Sequence, residues 1–195
     1  INFHSRYEFV SVQVMQKAVN TIVKIVQGVA ESKYQCFSDD LQRVISDYLK
    51  SNGALLVSGA YIGTDLCGSK TSREVDVQFA RDILHISYMG NGGCVTKLDY
   101  VTTESRAAER LSSRDYSYCR DYRPDYYTVN SVDAFAPVGN AKMLMRYPDS
   151  NLAAAIGWNG EQGGATFVMG FPFESITDEQ NRDFLMREII EYLIH

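Results

Sequence analysis

The run Gly53-Ala-Leu-Leu-Val-Ser-Gly-Ala-Tyr-Ile-Gly-Thr-Asp-Leu66 holds the residues best spaced for chemistry. Its apolar part, 54–57, reads as a buried strand. A tight Gly-x-Tyr-x-Gly turn from Gly59 to Gly63 follows, and then a helix start. Strand, sharp turn and helix with flanking glycines make a nucleophile elbow, which raises one side chain at the end of a sheet. The apex here is Tyr61. A phenol with a pKa of about 10 and no base beside it in sequence is a poor nucleophile at neutral pH. The chain therefore builds the pedestal of an active site without the usual reactive group. Two readings of Tyr61 and Ser58 stand side by side. They form a ligand-facing pair at the carboxyl end of a sheet, where open α/β folds bind ligands. Alternatively, Ser58 bonds locally and Tyr61 packs into a closed site; this second reading is preferred. Asp65, just past the turn, is either a ligand-facing acid or a helix cap.

The elements that must position this turn are legible on either side of it. Residues 21–26 alternate with a β-branched bias (Ile22, Val23, Ile25, Val26) and predict a strand ending at Gly28. Ser38 suits an N-cap, and Asp39 and Asp40 complement the dipole of a helix over 39–50. Leu41, Val44, Ile45, Tyr48 and Leu49 supply its apolar stripe, and Asn52-Gly53 ends it. Strand, helix and an uninterrupted apolar second strand mark a parallel sheet covered on both faces. A second helix is predicted over 73–87 through Val77, Ala80, Ile83 and Leu84, with His85 near its carboxyl end. Residues 90–125 read as loop. Strand-like runs follow at 126–129, 141–147, 152–158 and 165–170, the last three as antiparallel partners. A closing helix over 178–194 has Thr177 as N-cap and Gln180 in a capping box, with Phe184, Leu185, Ile189, Tyr192 and Leu193 as its stripe.

The 195 residues suit one domain with a sizeable core, and 1–195 reads as a single α/β domain of a longer chain. The first residue is Ile1 rather than Met, as in a mature form or a piece of something longer, and this is compatible with a removed export signal. A net charge of −5 argues against a nucleic-acid partner, which needs a basic face. No apolar run approaches the roughly 20 residues that span a bilayer. Cys36, Cys67, Cys94 and Cys119 are widely spaced, unlike the close ligand pairs of zinc sites, so no metal is expected, and no cofactor either. Cys67 and Cys94 sit in glycine-rich turns and are either a disulfide or two free thiols.

A second place with chemical potential is the stretch holding Tyr116, Tyr118, Tyr122, Tyr126 and Tyr127 among Arg114, Arg120 and Arg123. Aromatic faces beside arginine forks can stack sugars or bases. Between Glu104 and Tyr127 five arginines face five acids, which disfavours a phosphate backbone and leaves carbohydrate as the ligand, with Tyr122 and Tyr126 as its contacts. The plainer reading is a loop tied down by tyrosine packing and ion pairs. His4, His85 and His195 are too scattered for a triad.

The helix 39–50, the strand after it and Gly59-Ala-Tyr-Ile-Gly63 resemble the nucleophile region of class I glutamine amidotransferase-like domains, where a Gly-x-Cys-x-Gly elbow follows such a strand. That family closes its site with a strand ending in Phe-His-Pro-Glu before a last helix; here the similar place reads Phe171-Pro172-Phe173-Glu174. The resemblance puts Tyr61 at the cysteine, Pro172 at the histidine, and keeps only Glu174. It implies a flavodoxin-like three-layer α/β/α fold with a mixed sheet and antiparallel C-terminal strands. It also implies a site unable to hydrolyse glutamine by the family's route. A narrower resemblance, through 56–66, Asp133-Ala-Phe-Ala-Pro-Val-Gly139 and Gly170-Phe-Pro-Phe-Glu174, is to the C-terminal domain of secreted Bacteroides-type proteins known as xanthan lyase-like or N-acetylmuramoyl-L-alanine amidase-like.

The expectation is thus a non-catalytic amidotransferase-like module of an extracytoplasmic protein, with cell-wall glycan or other carbohydrate and neighbouring domains as partners. The alternative is a hydrolase or lyase on polysaccharide or peptidoglycan using Tyr61 with Asp65 or Glu174, since a tyrosine can serve as acid or base. Glu174 also has a plain reading, as a carboxylate near a helix N-terminus.

Overall fold

A computed structural model describes residues 37–68, 72–91, 102–103, 131–147, 150–161 and 164–194, with Tyr116, Tyr118, Pro124 and Val129. The expected strand 21–26, most of the run 126–129, Cys36, Cys94, Cys119, Tyr122 and Tyr126 lie outside the described residues. The chain forms α1 (Asp39–Lys50), β1 (Ala54–Ser58), α2 (Ile62–Cys67), α3 (Glu74–Asp82), β2 (Ile86–Asn91) and β3 (Thr102–Thr103). It continues through β4 (Asp133–Pro137), β5 (Lys142–Arg146), β6 (Ala153–Asn159), β7 (Ala165–Met169), a 3-10 turn Phe173–Ser175 and α4 (Glu179–Ile194). This is an α/β fold with a mixed sheet, ordered β1-β7-β6-β4-β2, with β5 on β6 and β3 on β5. β1 pairs with β7 in parallel, whereas β6–β7, β5–β6 and β2–β4 are antiparallel.

Every residue of β1 is buried, and its side chains alternate between two cores. Ala54 and Leu56 join Phe167 and Met169 under Leu185, Ile189 and Leu193 of α4. Leu55 and Val57 join Val168 under Ile45 and Leu49 of α1, Ile62 and Leu66 of α2, and Phe79 and Ala80 of α3. Strand side chains point to opposite faces in turn, so a strand apolar at every position needs cover on both. A leucine as fully buried as Leu55 or Leu56 contributes about 1.5–3 kcal/mol.

Helix α1 starts as expected, with Ser38 Oγ accepting from Leu41 N at 3.4 Å. Its buried stripe differs: Gln42, Ile45 and Leu49 face inward, and Val44 is 60 % exposed. A polar Gln42 is tolerated inside because its Nε2 donates to Phe37 O at 2.8 Å and to Asp76 Oδ1 at 2.7 Å. Asp76 is itself wholly buried, and Arg73 donates to it from its backbone N, Nε and a terminal nitrogen. Burial raises the Asp76 carboxyl, but the bonds from Arg73 and Gln42 outweigh it and hold it down at about 2.

Three expectations need correction. The helix predicted over 73–87 stops at Asp82, and β2 begins at Ile86. Leu84 and Ile86 are wholly buried, and His85 between them takes a left-handed φ of 56°, which no helix continues. His85 therefore lies outside the helix. Strand β4 was not foreseen, because its Asp133 and Pro137 ends look like turn residues. At α4 the capping residue is Asp178, not Thr177: its Oδ1 accepts from Asn181 N at 2.7 Å and its carbonyl from Arg182 N at 2.9 Å.

The Asp76 network predicts a measurable cost. Asp76→Ala strips a buried partner from Gln42 and should lower the unfolding free energy by about 2–3 kcal/mol, read from the urea midpoint at constant slope. Asp39→Ala, at the exposed end of the same network, should cost far less.

Candidate functional site

The elbow and the end of β7 share one edge of the sheet. Ser58 is the register partner of Met169, so both parallel strands finish together. Gly59 N donates to Met169 O at 3.3 Å. The turn that carries Tyr61 and the turn that carries Glu174 thus leave the same edge, the place where open α/β sheets bind ligands.

Ser58 clasps the two turns together. Its wholly buried hydroxyl donates to Phe171 O at 3.2 Å and accepts from Phe173 N at 2.6 Å. Both roles of the hydroxyl are taken by backbone groups, so it ties the two turns together. Tyr61 is half-buried, precedes α2, and packs against the core beneath α4. Pro172 is buried and opens the 3-10 turn, whose Ser175 Oγ donates back to Pro172 O. Glu174 is half-buried within that turn. Tyr118 stacks on Phe171 with ring centroids 5.6 Å apart and bridges to Ile176, so this member of the tyrosine-rich stretch is packed under the edge. Tyr116 is wholly buried as well.

Asp133 is the group that holds the elbow helix, and sequence reasoning passed it over. Its Oδ2 accepts from Gly63 N at 2.6 Å and Thr64 N at 3.1 Å, and its Oδ1 accepts from Thr64 Oγ1 at 2.7 Å. Thr64 Oγ1 also meets the Tyr88 hydroxyl at 2.9 Å. Two glycines permit this closeness. A Cβ on Gly63 would stand 2.5 Å from the Tyr88 ring, and one on Gly170 would stand 2.1 Å from Asp133 O. Asp133 is 1 % exposed, and this burial pushes its carboxyl up to about 6, against the pull of the Thr64 and Gly63 bonds. Burial also raises Tyr88 and the free thiol of Cys67; the latter is raised further by Asp133 and Asp76, so it is the reverse of an activated thiolate. Asp65 does not cap α2. Its Oδ2 instead accepts a long bond, 3.5 Å, from Phe37 N. The available signal for Asp133 was an acid opening an apolar strand beside nothing of opposite charge.

His85 sits at the other edge. It stacks on Trp158 with centroids 4.1 Å apart, and Trp158 pairs with Thr166 near the start of β7. Burial lowers its pKa. Among the described residues no group of three His, Cys, Asp or Glu side chains could hold a metal, and no helix is long and apolar enough to cross a membrane.

No protein-family model and no curated protein matches this chain. The solved structures that match this chain include these two. The mmIFT52 N-terminal domain is 14 % identical, with a TM-score of 0.54, over 82 % of this chain and 72 % of that one. The exo-beta-1,4-mannosidase Op5Man5 from Opitutaceae bacterium strain TAV5 is 12 % identical, with a TM-score of 0.46, over 81 % of this chain and 24 % of that one. At 14 % identity the likeness to the first is one of fold alone.

The Ser58 clasp predicts that Ser58→Ala leaves the Phe173 N–H without its buried acceptor. The expected loss is about 1–3 kcal/mol, with faster hydrogen exchange at the Phe173 amide as the local readout.

Proposed function

We propose that this chain is a non-catalytic amidotransferase-like module, flavodoxin-like and three-layered. It serves as a structural or binding domain of an extracytoplasmic protein associated with glycan or cell wall. The observation that carries the non-catalytic part is the edge itself. Ser58 spends its hydroxyl on Phe171 and Phe173, Tyr61 packs against apolar core, and a buried Pro172 stands where the resembled family has a histidine. Among the described residues nothing there pairs a nucleophile with a base. The two cores on opposite faces of β1 support the three-layer reading. The glycan setting and the extracytoplasmic home rest on the narrower resemblance alone.

Incubating the purified chain with glutamine, simple esters, and peptidoglycan or exopolysaccharide fragments should give no turnover above buffer, for wild type and Tyr61→Phe alike. Saturable turnover that disappears in Tyr61→Phe would overturn the non-catalytic reading. Calorimetry with the same fragments addresses the binding role, where a saturable heat is expected for at least one glycan.

A further inference from the structure

We propose that Asp133, Thr64 and Tyr88 form a proton-switched hydrogen-bond chain that sets how firmly the elbow helix α2 is held to the sheet, most firmly when Asp133 is protonated. Three features carry this. The Asp133 carboxyl is sealed from water, and among the described residues no salt bridge reaches it. Its capping bonds to Gly63 N and Thr64 N come from Oδ2 alone. Its other oxygen faces a hydroxyl that can donate or accept, and that hydroxyl faces a second one.

Two states of the chain follow. With Asp133 ionised, Thr64 Oγ1 donates to Oδ1 and accepts from the Tyr88 hydroxyl. With Asp133 protonated, Oδ1–H donates to Thr64 Oγ1, whose own hydrogen turns to Tyr88. Separations of 2.7 and 2.9 Å suit either direction. No capping bond is lost on protonation, while a buried charge that no cation among the described residues faces is removed.

Among the described residues, the titratable groups facing Asp133 bring no positive charge to it. They are Asp65 and Cys67 on α2, Tyr88 on β2, and Tyr147, whose hydroxyl donates to the Asp133 carbonyl at 3.1 Å. Asp65 adds to the upward push of burial. A carboxyl raised from 3.8 to about 6 keeps its proton in the fold where an exposed carboxyl has lost it. The stabilisation is full below the ordinary value and is lost as pH rises through about 6. The switch operates whether or not the elbow is a relict site.

The test uses the full chain, following Asp133 by carboxyl-carbon NMR and the Gly63 and Thr64 amides by native-state hydrogen exchange. In wild type the opening of these amides, corrected for intrinsic exchange, should rise about tenfold between pH 5 and pH 7, the span in which the closed form loses its proton. Asp133→Asn, which keeps a capping oxygen, should abolish that rise. Tyr88→Phe leaves the Thr64 hydrogen no acceptor but Asp133, so it should lower the Asp133 midpoint by about half to one pH unit, the equivalent of one hydrogen bond. A wild-type midpoint at or below 3.8 overturns the proposal, as does the same pH dependence in Asp133→Asn. Should Asp133→Asn fail to fold, an unchanged midpoint in Tyr88→Phe overturns it alone.

Discussion

The parallel seam between β1 and β7 is the constraint on which the rest of this molecule depends. Because Ala54–Ser58 and Ala165–Met169 run together in register, two turns far apart in sequence emerge side by side. The Ser58 hydroxyl locks them through Phe171 and Phe173. The same strands divide the interior, sending alternate side chains toward α4 and toward the three earlier helices. Shifting the register by one residue would exchange the two faces and part the clasp at once.

Two buried aspartates show how charge is managed around that seam. Asp76 and Asp133 are equally shut away from water, yet their acidities move in opposite directions. Asp76 has the Arg73 guanidinium across it and stays ionised. Asp133 has only peptide N–H groups and a hydroxyl, which stabilise a carboxylate less than a cation does, so desolvation prevails. The first joins α1 to α3; the second ties the elbow helix to β4.

The elbow is thus well built mechanically and poor in reactive groups. Its glycines allow Tyr88 and Asp133 to press close, and its apex carries a phenol packed against core. Among the described residues, this edge pairs no nucleophile with a base.

Local signals were strong where one segment decides its own structure. The Ser38 cap, α1, the all-apolar β1 and the α4 stripe of Leu185, Ile189 and Leu193 were legible, since capping, period and run length are written in adjacent residues. Partners distant in the chain were not. The end of α3 at Asp82 follows from β2 pairing with β4, and the inward turn of Gln42 follows from Asp76 waiting across the core. Asp133 meets Gly63 and Thr64 across a separation of about 70 residues, and its raised pKa exists only because folding buries its carboxyl against α2. Sequence by itself determined α1, β1 and α4 and where the turn glycines fall, because their signals lie in adjacent residues. Tertiary structure alone decided which polar groups are buried together, because desolvation and hydrogen bonding depend on what folding brings into contact.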